Sequence, residues 1–246
     1  MLIVGIDCAT ADSKVGLALG RLEAGRLEIL EVTLASLERP AARVAYQWIE
    51  GTGEDYLVAF DAPLGWPTSM GLALATHRAG ELIVPEPNQF FRRATDIFVE
   101  QQLRKRPLDV GADRIARTAH AALRVLHQLR QELEIPVPLA WNQDWQGVAA
   151  IEVYPAATLR SRRLSDKSYK KPEQREARES LLESFNHEMT FRYPTDLLVR
   201  SADALDAVAC VLAGKDFVQG FALQPEDTEL AQREGWIWTA PIGFSG

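Results

Sequence analysis

The chain has 246 residues, 47% hydrophobic and 25% charged, with 27 Lys plus Arg, 34 Asp plus Glu and a net charge of −7. These values suit a soluble protein with a sizeable core, and they argue against tight, nonspecific clinging to nucleic acid by overall charge. With Cys8 and Cys210 as the two cysteines, a disulfide framework and a cysteine-based zinc cluster are excluded as well.

The opening "LIVGIDCA" reads as a buried strand. The stretch "MLIVGIDCATADSK" lacks a basic leader and meets an acid at position 7, and no later stretch reaches the length of a membrane span. A reduced, cytoplasmic protein is therefore expected. "KVGLALGRL" follows the polar turn "TADS", and "RLEILEVTL" follows "EAG", so the first three strands should be antiparallel neighbours. "RPAARVAYQWIEG" reads as a helix with Pro40 near its start and Gly51 at its end. "YLVAFDAPLG" is a further short buried strand, stopped by Pro63 and Gly65.

Residues 64–112 carry Pro67, Pro85, Pro87 and Pro107 with several glycines, and read as an insertion or lid with a short helix around "QFFRRATDIFVEQQLRK". "DRIARTAHAALRVLHQLRQELE" has apolar residues at Ile115, Ala119, Ala122, Leu126 and Leu129, the period of an amphipathic helix. "GVAAIEVYP" is another buried strand, "PEQREARESLLESFNHEM" an amphipathic helix, and "SADALDAVACVLAG" the last well-marked helix. The expected fold class is α/β: a mixed five-stranded sheet, three antiparallel strands then two helix-linked parallel strands, flanked by helices.

Three of these strands end in an acid: "LIVGI" then Asp7, "YLVAF" then Asp61, "GVAAI" then Glu152. On parallel strands such acids lie along one edge of the sheet, where ligand sites gather. On the last helix Asp203 and Asp206 are three apart and share a face. Ser201 is a suitable N-cap, and Asp203 in the first turn would favour the helix dipole. Position 206 lies past that turn. Several carboxylates in one place need a cation or protons. Hard oxygen ligands select Mg²⁺ or Mn²⁺, and two ions about 3.5–4 Å apart would form a phosphoryl-transfer clamp.

"GIDCA", "FDAPLGWP", "RRATD", "IEVYPAAT" and "SADALDAVAC", in this order, resemble the predicted nuclease family catalogued as domain of unknown function 429. The "DALDA" helix is also similar to that of RuvC-type resolvases in the ribonuclease H-like superfamily. The resemblance implies a single ribonuclease H-like domain over 1–246, with the 64–112 insertion inside it, and a metal-dependent nuclease acting on DNA or RNA. It implies Asp7, Asp61, Asp203 and Asp206 as metal ligands and Glu152 beside them in the catalytic set. Family members often carry His where this chain has Tyr154, and Glu where it has Ala156.

The phosphate-binding candidates are Arg93, in "RRATD", and Arg162, Arg163, Lys170 and Lys171 in the basic track "RSRRLSDKSYKK", which holds six basic residues and one acid. For Arg93 the alternative is an i,i+3 surface ion pair with Asp96, and for the track a solvated loop. Trp66 would stack on a base or pack the lid. Two other functions stay open. A phosphotransferase of the actin and sugar-kinase type would use "GIDCATADSKVGLAL" as a phosphate loop, and a noncatalytic module would only bind nucleic acid.

Overall fold

In the computed structural model, residues 1–111 and 113–244 are described; the last residue of the expected 64–112 insertion, Ala112, lies outside them. The chain opens with β1 (Leu2–Asp7), β2 (Gly16–Glu23) and β3 (Arg26–Leu34), followed by α1 (Ala41–Ile49) and β4 (Tyr56–Asp61). The insertion carries α2 (Thr68–Leu74), α3 (Pro87–Phe91) and α4 (Ala94–Leu103). Then come α5 (Asp113–Leu133), β5 (Val148–Glu152), α6 (Pro155–Ser161), α7 (Arg175–Phe185), β6 (Met189–Phe191), α8 (Asp196–Arg200), α9 (Ala202–Val218) and α10 (Thr228–Glu234).

The sheet order is β5-β4-β1-β2-β3-β6. β1, β2 and β3 pair antiparallel, while β4 and β5 add in parallel beside β1. The expected mixed sheet is present, with six strands among the described residues instead of five. The extra one, β6, pairs in parallel with Leu27–Ile29 of β3. The single helix expected around 89–105 is two, because Arg92 and Arg93 are extended between α3 and α4.

Side chains alternate across a strand, and that alternation divides the core. Leu2, Val4, Ile6, Tyr56, Val58 and Phe60 face α1 and α5. Ile3, Leu57, Ala59 and Ile151 face α9 on the other side. Asp7 and Asp61 continue this second set, and the β1–β4 register pairs them directly.

Helix α9 is not amphipathic: it is buried on all sides from Ala204 to Phe217, so both of its stripes lie in the interior. It sits unusually close to the sheet. A Cβ on Gly5 would stand 2.1 Å from the Ala207 carbonyl oxygen, and one on Gly16 2.0 Å from that of Asp203. Only glycine admits a helix backbone at this distance, and the approach carries Asp206 down to the ends of β1 and β4.

Candidate metal centre

Asp7 and Asp61 close their strands side by side, and Asp206 is delivered from the second turn of α9. One carboxylate oxygen from each lies within 4.8 Å of the other two. Ser201 caps α9 as expected, its hydroxyl accepting from the Ala204 N–H at 3.2 Å. Asp203 does not join the trio. It is half-buried in the first turn, and burial raises its carboxyl, against the pull of Lys14 and with Asp206 adding. The two aspartates share a side of the helix, but it is the carboxylate one turn further on that joins Asp7 and Asp61.

Burial pushes the Asp7 carboxyl well above the usual range, with Asp206 and Asp61 adding to it. Burial also pushes Asp61 up to about 7, against the pull of Lys170 and with Asp206 adding. Asp206, 2% exposed, has both oxygens engaged. The Tyr169 hydroxyl donates to Oδ1 at 2.6 Å, and the Lys170 ammonium contacts Oδ2 at 2.6 Å. Burial works to lower the Lys170 pKa, but Asp206, Asp61 and Asp7 overcome it and raise it. Tyr154 stands near the same acids: burial raises its hydroxyl, and Asp61 adds to that. Burial likewise keeps the Cys8 and Cys210 thiols protonated, so neither offers a thiolate.

Glu152 is not part of this cluster, contrary to expectation. The β4–β5 register pairs it with Phe60, not with Asp61. The pleat therefore turns it to the other face. There it forms a buried bidentate pair with Arg93, at 2.9 and 2.7 Å, and accepts from the Leu64 N–H at 2.9 Å. Burial raises the Glu152 carboxyl and Arg93 opposes that.

Arg93 was expected to meet phosphate or to form a surface pair with Asp96. It does neither, being 1% exposed. Its five N–H donors are all used: Nε and Nη2 on Asp96, Nη1 and Nη2 on Glu152, and Nη1 also on the Glu234 carbonyl. The Asp96 pair exists, but in the interior. Glu234, which sequence reasoning missed, accepts from the Thr68 and Ala94 N–H groups and so caps both α2 and α4. Gly235, at φ +86°, keeps a side chain off the Arg93–Glu152 pair, since a Cβ there would lie 2.7 Å from Glu152 Oε2. Trp66 is half-buried just before α2.

The basic track divides. Arg162 is 3% exposed and forms a bidentate pair with Asp216 at 2.9 and 2.7 Å, so it has no free face for phosphate. Lys170 is occupied at Asp206. Arg163, Lys167 and Lys171 are exposed, as are Arg104 and Arg106 of the "RKR" cluster. The two clusters adjoin. Asp166 forms ion pairs with Lys105 Nζ at 2.6 Å and Arg160 Nε at 3.0 Å, tying residues 104–106 to the track. Burial works against the Asp166 carboxylate, but Lys105 and Arg160 hold it below its usual range.

The family model described as "Protein of unknown function (DUF429)" matches residues 5–230. The chain belongs to this family. All three acids of the cluster, and Tyr169 and Lys170 with them, fall within the DUF429 match. No curated protein matches the chain. Among solved structures, T. thermophilus RuvC in complex with Holliday junction substrate is similar at 14% identity and a TM-score of 0.32, covering 87% of this chain and 98% of that one.

Proposed function

We propose that this protein hydrolyses phosphodiester bonds of nucleic acid, using Mg²⁺ or Mn²⁺ held in the cluster of Asp7, Asp61 and Asp206. The observation that carries the reading is the convergence of these three carboxylates at one sheet edge. The donors fit the ion: hard carboxylate oxygens close together, with burial and mutual repulsion raising the Asp7 and Asp61 carboxyls. A divalent cation bound there would lower the pKa of a water and offset charge developing on the leaving oxygen. The chain's own groups do the rest. Tyr169 fixes the rotamer of Asp206. The exposed Arg104, Arg106, Arg163, Lys167 and Lys171 provide an approach surface for a polyanion beside the acids. The resemblance in sequence to predicted ribonuclease H-like nucleases supports the same reading.

The test is a cleavage screen of labelled single-stranded, duplex and branched DNA and RNA, with Mn²⁺ or Mg²⁺ against chelator. Metal-dependent cleavage of at least one substrate is expected. Asp7→Asn and Asp206→Asn should each reduce it about 100-fold or more, equal to roughly 2.7 kcal/mol. Full activity in chelator, or in both variants, would refute the assignment.

The basic face has its own measurement. Replacing Arg163, Lys167 and Lys171 with Gln should weaken polynucleotide binding and flatten its salt dependence. Each lost phosphate contact lowers the log–log slope by roughly 0.7–0.9. Arg162 is left out of this set, because removing it would strand the Asp216 carboxylate in the interior. An unchanged slope would reduce the face to solvated surface.

A further inference from the structure

We propose that the cluster takes one divalent cation, between Asp7 and Asp61, and that the Lys170 ammonium fills the place of a second. The inference rests on the metal-binding reading above and concerns how the chain itself completes the site. Asp206 is the carboxylate that a second ion would need, and both its oxygens are held by consecutive residues of one segment, Tyr169 and Lys170.

That segment is built to stay in place. Arg178, itself buried, donates from Nη1 to the carbonyls of Tyr169 at 2.6 Å and Lys171 at 2.8 Å, on either side of Lys170. It also donates from Nη2 to the Pro172 carbonyl at 3.0 Å and from Nε to the Val199 carbonyl at 2.6 Å. The Val199 contact anchors the segment to α8, immediately before the α9 cap. Lys170 therefore reaches the acids from a clamped backbone. Its stem remains open, the side chain being 55% exposed, while its tip lies on Asp206.

Charge points the same way. Three carboxylates, one divalent ion and one ammonium are neutral together. A second divalent ion beside Lys170 would leave an excess of two positive charges in a largely buried site, which is costly.

The experiment counts ions in the full chain. Mn²⁺ is titrated by calorimetry, and the loaded protein is examined by electron paramagnetic resonance. Wild type should bind one Mn²⁺ per chain, with no spin coupling between ions. Lys170→Met should bind two, with a coupled spectrum, and Lys170→Arg should return to one. Two coupled ions in wild type, or a single ion in folded Lys170→Met, would overturn the lysine's role while leaving the metal site intact. If Lys170→Met does not fold, the wild-type count decides alone. No Mn²⁺ binding by folded wild type would instead overturn the metal reading itself.

Discussion

Asp61→Asn should raise the melting temperature of the metal-free protein at pH 8 while abolishing its response to Mn²⁺. Asp61 is buried against Asp7 and Asp206, and its carboxyl is pushed up to about 7. At pH 8 it is ionised at a cost. The rise from 3.8 corresponds to roughly 4 kcal/mol as an upper bound. Relief of about 2 kcal/mol would raise the midpoint by roughly 4–8 °C in a chain of this size. The pH dependence has a definite direction. Below about pH 4 the folded and unfolded carboxyls are both protonated. Between about 4 and 7 the folded protein holds a proton that the unfolded chain has released, so metal-free stability falls as pH rises through this window. The asparagine variant should lose much of that slope. A wild type that gains no stability from Mn²⁺ at pH 8, or a variant that gains as much, would contradict the role given to Asp61.

Arg93→Ala should cost about 3–5 kcal/mol, the usual penalty for removing one partner of a buried ion network. Its removal strands Glu152 and Asp96 in the interior and takes a donor from the Glu234 carbonyl. The midpoint should fall by roughly 6–20 °C. Arg93→Lys should recover little, since a point-charge ammonium cannot reproduce the planar fork that serves both carboxylates. Urea melts give the stability, and polynucleotide affinity measured where the variant is still folded should equal that of wild type. Unchanged stability with reduced affinity would restore Arg93 to phosphate binding.

The elements legible in the sequence were those with a local period. β3 coincides with "RLEILEVTL", and α5 and α9 lie where "DRIARTAHAALRVLHQLRQELE" and "SADALDAVACVLAG" place them. Three-residue β6 has too few positions to display alternation, and it exists because β3 offers an edge. The break at Arg92–Arg93 is equally invisible locally, since Arg93 leaves helical geometry where it meets Glu152 from a strand 59 residues away.

The candidate site divides along the same line. Strand-end acids and a shared helix face are properties of neighbouring residues, so Asp7, Asp61 and the Asp203/Asp206 pair are legible as candidates from local pattern alone. Which of them meet was a tertiary decision. The β4–β5 register set Glu152 opposite Phe60 and turned it away. The glycine-lined approach of α9 admitted Asp206 and left Asp203 at the rim. The Arg178 clamp converted Lys170 from a member of a basic track into the partner of Asp206. Each outcome depends on strand phase and on contacts between distant segments. A local pattern carries no record of these, because side-chain period is set by the backbone nearby and partnership by how the layers close on one another.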